Sequence, residues 1–254
     1  MKNILLVGAG EIGSKHLQGL FLGERDRFQV TVVDVSESSL NRCKDHLKNL
    51  SGKYHQNKAT FLTSLREIDG NEFDMCIVAT NSKERKKVID AVTQKIICSK
   101  FLLEKVVFAA IEDYQDTLNF FEKNNIHSWV NTSKRLFPVF QFIKEEFQSK
   151  QISTIQFDLH GGGLGIGCNS FHFLDLVEYL CADKIHSIDL TGVTDVFESK
   201  REGYYELSGL LQAKYFNGST LNFNSQKEPD NISSIKLEPT SRPSTVESII
   251  PEPE

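Results

Sequence analysis

The 254-residue sequence holds no apolar run near the roughly 20 residues that a membrane-spanning helix requires. It holds no Cys-x-x-Cys pair. Its five cysteines, Cys43, Cys76, Cys98, Cys168 and Cys181, are odd in number and widely spaced, which argues against a disulfide framework or a zinc cluster. The seven histidines show no metal-ligand spacing, and no metal is expected. Basic residues are not in excess: 29 Lys and Arg against 34 Asp and Glu leave a net charge of −5, which excludes a general nucleic-acid surface. Neither nucleic acid nor membrane is an expected partner. The opening residues lack the shape of a signal peptide, since Lys2 leads straight into a short apolar run and a glycine turn, and a cytoplasmic location is the expectation. Proline is almost missing before residue 229; the last five fall at Pro229, Pro239, Pro243, Pro251 and Pro253. With no aromatic after Phe223, that Pro-, Ser- and Glu-rich end has little to bury, so residues 226–254 are expected to form a tail with at most one edge strand, from Ile232 to Leu237.

What is present begins at the first residues. Ile4–Val7 reads as a buried strand, enters Gly8-Ala9-Gly10-Glu11-Ile12-Gly13, and leaves as a helical pattern. That order is the dinucleotide-binding fingerprint in its required context. Gly8 permits the tight turn, Gly10 lets the backbone approach a pyrophosphate, and Gly13 lets the helix pack on the strand. The pyrophosphate is expected on the free N–H groups at the positive end of that helix. A second strand, Phe28–Val33, ends in Asp34, about twenty residues beyond Gly13, where the fingerprint places an acid. Asp34 can accept from the adenine-ribose hydroxyls and would repel a ribose phosphate; Val35, Ser36 and Glu37 follow it with no Arg, so NAD is favoured over NADP. The competing role for Asp34 is to cap the next helix.

The first 130 residues alternate strand and helix. Ser36–Leu50 has helical spacing with Ser36 or Ser38 as cap, Ala59–Leu62 is a short strand, Phe73–Ala79 a strong one, and Thr80-Asn81-Ser82 a turn and cap. A helix over Lys83–Thr93, a strand over Ile96–Leu103, a helix over Asp113–Lys123 and a strand over Ile126–Val130, with the one tryptophan, Trp129, complete the series. Such alternation predicts a parallel sheet covered on both faces, with ligands beyond the carboxyl ends of its strands. Gly8, Asp34, Thr80 and Glu104 all fall at such ends. Cys76 and Cys98 lie in strand-like runs and read as core residues.

After Lys150 the pattern changes. Ile155, Phe157 and Leu159 alternate with Gln156 and Asp158, a half-exposed strand. Gly209–Phe216 and Ser219–Asn224 flank Asn217-Gly218, a hairpin signal. One helix, about Asn169–Cys181, interrupts the strands and carries His172 and Asp175, three residues apart and so on one face. A glycine-rich turn, Gly161 to Gly167, precedes it, and Cys168 lies one turn before His172, where it reads as a small buried residue.

Taken in order, these landmarks resemble the glucose–fructose oxidoreductase and inositol dehydrogenase group (Gfo/Idh/MocA). Gly8 to Gly13 with His16 is similar to the family's opening turn, Ala79-Thr80-Asn81 to the loop lining the nicotinamide side, and Leu103-Glu104-Lys105-Val106 to its Glu-Lys-Pro. The glycine-rich turn followed by His172-x-x-Asp175 is similar to its Gly-x-x-x-His-x-x-Asp helix, and Asn131-Thr-Ser-Lys-Arg135 with Pro138 to the segment leaving its first domain. The resemblance covers about residues 1 to 225. It implies an α/β Rossmann domain with a parallel doubly wound sheet (1–132), followed by an α+β domain with a mostly antiparallel open sheet (133–225) that takes substrate and pairs subunits into a homo-oligomer.

The resemblance also implies roles. Lys105 and His172 are the catalytic candidates: His172 takes the hydroxyl proton, as an imidazole with a reference pKa of about 6.5 can, and Lys105 stabilises the alkoxide. Glu104 orders the lysine or the nicotinamide end. Arg135, Cys168, Asn169 and Asp175 fall to substrate binding or support. His16 is expected to pack or cap near the first helix. Gly8, Ala9, Gly10, Glu11, Ile12, Gly13, Asp34, Thr80, Asn81, Glu104 and Lys105 form the cofactor set. Two departures stand out: Cys168 replaces the Asp that precedes the histidine by four residues, leaving either Asp175 as a stand-in or Asn169 and Ser170 as hydrogen-bond partners instead, and Val106 replaces the proline after Glu-Lys, which weakens a fixed bend. The family's second domains often continue for many more strands, so a small or truncated second sheet is expected. The expectation is an NAD-dependent oxidoreductase acting on a hydroxyl or carbonyl of a small sugar-like molecule, nucleotide sugar or polyol. The rivals are a non-catalytic NAD-binding sensor or subunit, and an imine or enone reductase.

Overall fold

The computed structural model describes residues 1–23, 27–50, 57–199, 201–228 and 234–240. They form two compact units, Met1–Asn131 and Thr132–Glu254.

In the first unit, strands and helices alternate as β1 (Lys2–Val7), α1 (Glu11–Leu22), β2 (Phe28–Val33), α2 (Glu37–Lys48), β3 (Lys58–Leu62), β4 (Met75–Val78), α3 (Ser82–Lys95), β5 (Lys100–Leu103), α4 (Ile111–Lys123) and β6 (His127–Val130). The sheet order is β3-β2-β1-β4-β5-β6, and every pairing is parallel. This is the doubly wound Rossmann order, reversing direction beside β1. Period-two alternation along β1 builds both faces. Ile4 and Leu6 join Val30, Val32, Leu17 of α1 and Leu40 and Cys43 of α2. Leu5 and Val7 join Cys76, Val78, Phe101, Ile89 and Val92 of α3 and Phe121 of α4. Cys76 and Cys98 are buried core residues, as their strand-like runs predict. The strand expected over Ile96–Leu103 is shorter: Ile97 makes only an isolated bridge to Glu72, and continuous pairing begins at Lys100, opposite His127 of β6.

The second unit contains a 3-10 turn (Ser133–Leu136), α5 (Pro138–Ser149), β7 (Ile155–Gly162), α6 (Ile166–Cys181), β8 (Ile185–Glu198), β9 (Tyr205–Tyr215), β10 (Thr220–Gln226) and β11 (Ser234–Pro239). Its sheet, β11-β7-β10-β9-β8, is mixed: β10 runs parallel to β7 and the other pairs are antiparallel. The Asn217-Gly218 hairpin joins β9 to β10, with Gly218 at φ 88°. One face carries Ile155, Phe157, Leu159, Leu221, Phe223, Leu211 and Tyr215 against Phe173, Leu176, Val177 and Leu180 of α6 and Phe147 of α5. Burial of each such side chain contributes about 2 kcal/mol.

Two elements go beyond the sequence expectations. α5 opens with Pro138 at its first position, where a missing N–H costs nothing. The strand β8 slips register three times against β9, which breaks the period-two pattern that would have marked it. At one slip Gly209 (φ 113°) lies so close to Gly192 that a Cβ there would stand 2.3 Å from the Gly192 carbonyl. The expected edge strand is β11, paired with β7. Residues 229–233 and 241–254, on which the rest of the tail expectation falls, lie outside the described residues. Among the described residues no helix is long and apolar enough to cross a membrane.

Candidate functional site

In the first unit the backbone ladder runs one residue past the strand ends and lines up the predicted positions. Gly8 N donates to Val33 O (2.8 Å), Ala79 N to Val7 O (2.8 Å), Glu104 N to Val78 O (3.1 Å) and Asn131 N to Leu103 O (2.8 Å). Gly8, Ala79-Thr80, Glu104 and Asn131 therefore stand on one edge, at the carboxyl ends of β1, β4, β5 and β6.

The glycine turn has the shape a dinucleotide requires. Gly8 is at φ 100° and packs on the Ala79–Thr80 peptide, where a Cβ would come within 2.8 Å of backbone. A Cβ on Gly13 would fall 1.8 Å from Gly8 O, so only glycine lets α1 start against the turn. Gly10 faces open space, and no side chain caps α1. The first amides of a 12-residue helix are thus left for an anion, with the helix dipole behind them. Glu11, paired with Lys15, and Ile12 are exposed beside that opening.

Asp34 does not cap α2; Ser36 does, accepting from Ser39 N. The Asp34 carboxylate instead accepts from Ala9 N at 2.6 Å and Ser36 N at 2.8 Å, so it sits against the glycine turn. Asn81 caps α3 through Oδ1, taking Glu84 N at 3.0 Å. The hydroxyl of Thr80 is buried with no hydrogen-bond partner among the described residues, an unmatched polar atom at the edge. These features fit a bound dinucleotide.

Glu104 joins two elements of the first unit. Its buried carboxylate takes His16 Nε2–H at 2.7 Å and Asn131 Nδ2–H at 2.6 Å, both on Oε1. His16, expected to pack or cap near its own helix, thus ties α1 to the end of β5. Burial opposes ionisation of Glu104, but the hydrogen bonds from His16 and Asn131 and the charges of His16 and Arg85 outweigh it and hold the carboxyl below its ordinary pKa. Lys105 follows, half-buried, and the Lys105–Val106 peptide is cis although no proline is present.

Sequence reasoning missed Arg85, which is 2% exposed. Its guanidinium donates to the carbonyls of Thr80, Glu104, Val106 (2.5 Å) and Val107 (2.9 Å). It lies in the charged run Lys83-Glu-Arg-Lys-Lys87, and the signal that sets it apart is its spacing: with Ile89 and Val92 it falls at i, i+4 and i+7, the buried stripe of α3.

The remaining candidates belong to the second unit. Asp175 accepts both from Arg135 Nε (2.8 Å) and from Arg135 Nη2, fastening the Ser133–Leu136 turn to α6. Arg135 also lies 5.6 Å over the Tyr179 ring. His172 is half-buried one turn before, and the side-chain amide of Asn169 donates to Leu164 O. Cys168, on the first turn of α6, is exposed, contrary to its reading as a small buried residue. The start of α6 also holds a carboxylate that the sequence did not announce. Glu206 of β9 is buried and accepts from Gly167 N (2.5 Å), Cys168 N (3.2 Å) and its neighbour Leu207 N (2.9 Å). Gly165, at φ 73°, leaves room for it; a Cβ there would meet the carboxylate at 2.5 Å.

No curated protein sequence matches the chain. Solved structures share its fold. The myo-inositol dehydrogenase of Lactobacillus casei, in complex with NAD(H) and myo-inositol, superposes with a TM-score of 0.69 at 15% identity, covering 93% of this chain and 70% of its own. An oxidoreductase from Agrobacterium radiobacter, with NAD+, L-tartaric acid and magnesium, gives 0.67 at 14%, covering 94% and 72%. The scyllo-inositol dehydrogenase of L. casei, with NAD(H) and scyllo-inositol, gives 0.65 at 12%, covering 99% and 80%. The neighbours are thus oxidoreductases of the Gfo/Idh/MocA type, and the likeness is one of fold. The segment with the glycine turn, Asp34, Thr80 and Glu104 is also matched by a family, residues 4–131, and by that match the chain belongs to the TrkA-N domain family.

Proposed function

We propose that the protein is an NAD-dependent oxidoreductase that moves hydride between the nicotinamide and a hydroxyl or carbonyl of a polyol or sugar-like molecule. The observation that carries the reading is the carboxyl edge of the first sheet: an uncapped α1 behind an open Gly10, with the Asp34 carboxylate on one side and Thr80 and Glu104-Lys105 on the other. The inositol ligands in two of the solved neighbours support the polyol as substrate class.

The residues divide the work as follows. Gly8 to Gly13 and the first amides of α1 hold the pyrophosphate, and Asp34 takes the adenine-ribose hydroxyls in exchange for its present bond to Ala9 N. Its negative charge disfavours a ribose phosphate, which selects NAD over NADP. NAD, when bound, supplies the hydride acceptor or donor. Lys105 holds the substrate hydroxyl and stabilises the charge that develops as its proton leaves. His172 takes that proton in oxidation and returns it in reduction. Asp175 and Arg135, each matched by the other, support the helix that carries His172.

A second reading, a non-catalytic NAD-binding subunit, is favoured by Cys168 at the position where the resembling family has Asp, and by the engagement of Asp175 with Arg135. One experiment separates the two. Purified protein is titrated with NADH, and nicotinamide absorbance is then followed with NAD and a panel of inositols, sugars and nucleotide sugars. Turnover of a polyol that falls by at least about a hundredfold in His172→Asn and in Lys105→Ala, with NADH affinity kept, is the expected result. NADH binding without turnover on any member establishes the subunit reading, and absence of NADH binding refutes both.

A further inference from the structure

Arg85 is matched in a way that no part of the proposed chemistry uses. A guanidinium taken out of water is costly unless its donors are matched. Here its partners include four backbone carbonyls from two loops: Thr80 after β4, and Glu104, Val106 and Val107 after β5. The planar fork of arginine can reach both loops at once, whereas lysine offers its donors from a single point. The strand order decides which part of the site those loops serve. Asp34, after β2, lies on one side of the glycine turn after β1, and β4 and β5 lie on the other. A dinucleotide with its pyrophosphate on the turn and its adenine ribose at Asp34 extends its nicotinamide over the β4 and β5 loops.

We propose that Arg85 is a positioning residue for the nicotinamide end of the site: by binding the carbonyls of Thr80, Glu104, Val106 and Val107, it fixes the loops that carry Thr80 and Lys105. The proposal rests on the dinucleotide reading above and adds a division of labour, in which Arg85 governs one half of the cofactor and leaves the adenine half alone. A merely structural Arg85 would weaken both halves together.

Full-length wild type, Arg85→Gln and Arg85→Lys are titrated with NADH, followed by nicotinamide fluorescence, and with ADP-ribose, which lacks nicotinamide, by calorimetry. Each is studied at a temperature where circular dichroism shows it folded. Arg85→Gln is expected to bind NADH about tenfold more weakly, with a smaller rise in fluorescence, while ADP-ribose affinity stays within about twofold. Arg85→Lys, which keeps the charge and loses the fork, is expected to lie between, and it carries the comparison alone if Arg85→Gln does not fold. Equal loss of both ligands, or unchanged NADH affinity, overturns the proposal. Wild type that binds neither ligand refutes the dinucleotide reading itself, an outcome visible before any variant is made.

Discussion

Glu104→Gln is the most informative perturbation of the first unit, because it removes a charge and almost no volume. Both donors, His16 and Asn131, converge on Oε1, so a glutamine amide oxygen can still receive them. What changes is their strength. A hydrogen bond to a charged group contributes about 1.5–3 kcal/mol and a neutral one about 0.5–1.5, so converting two of them costs about 2 kcal/mol. The pH dependence has a definite sign. The folded carboxyl has a lowered pKa, so its stabilisation is fully present above the unfolded value, about 4.3, and is lost as pH falls through the folded pKa. Trp129, the only tryptophan, lies on β6 two residues before Asn131, so its fluorescence during urea unfolding reports this unit. The stability gap between wild type and variant is expected to be about 2 kcal/mol at pH 7 and to hold down to about pH 5. Below about pH 4.3 it should shrink by up to about 1.4 kcal/mol per pH unit. An identical urea midpoint at pH 7, or a gap that widens in acid, would refute the assignment of Glu104 as an ionised, hydrogen-bonded tie between α1, β5 and β6.

Two glycines should part company. Gly13→Ala forces a Cβ onto the Gly8 carbonyl and is expected to destabilise the first unit by about 3 kcal/mol in the same unfolding assay. Gly10→Ala, at φ −62° with nothing within 4 Å, should leave the midpoint unchanged and lower NADH affinity, because the methyl enters the space proposed for the pyrophosphate; weakened folding with intact binding would contradict this. The thiols make an independent check on burial. Cys43, Cys76, Cys98 and Cys181 are buried, and burial pushes each thiol pKa up, whereas Cys168 is exposed. Ellman's reagent should therefore find one fast thiol in the native protein, absent from Cys168→Ser, and two or more fast thiols in the wild type would count against the packing described.

What could be read in the sequence was local in the chain. The glycine turn, the acid after β2, the Asn217-Gly218 hairpin and the alternation along β7 each express a backbone requirement within a few residues, and each appears where it was expected. Ser36 was legible as a cap for the same reason, and it displaced the rival role of Asp34 once its bond to Ser39 N was seen. The contacts that were not legible join distant residues. Arg85 meets carbonyls 19 to 22 residues away across a strand, and His16 meets Glu104 across 88 residues. The helical period puts Arg85 on the buried stripe of Ile89 and Val92, but nothing local in either residue names its partner. The strand β8 was hidden for another reason: three register slips, one of them at the Gly192–Gly209 contact, erased the periodicity from which strands are recognised.

The replacement of Asp by Cys168 shows how far a local reading can be carried. From spacing alone, the nearest carboxylate to stand in was Asp175, one turn beyond His172 on the same face. The fold gives both oxygens of Asp175 to Arg135, whose bidentate grip holds the Ser133–Leu136 turn against α6. The carboxylate that does reach position 168 arrives from β9: Glu206 takes the amides of Gly167 and Cys168, in a space that exists because Gly165 has no side chain. Glycine at 165 and glutamate at 206 therefore form one device, invisible to spacing because its halves lie on different elements. A side chain at 165 should evict the carboxylate, and loss of the carboxylate should expose two amides at the start of the helix that carries His172. The two single changes should thus loosen the same turn, and the double variant should cost less than their sum. Amide exchange across residues 165–172 can measure this, and strict additivity would show that the glycine and the glutamate act separately.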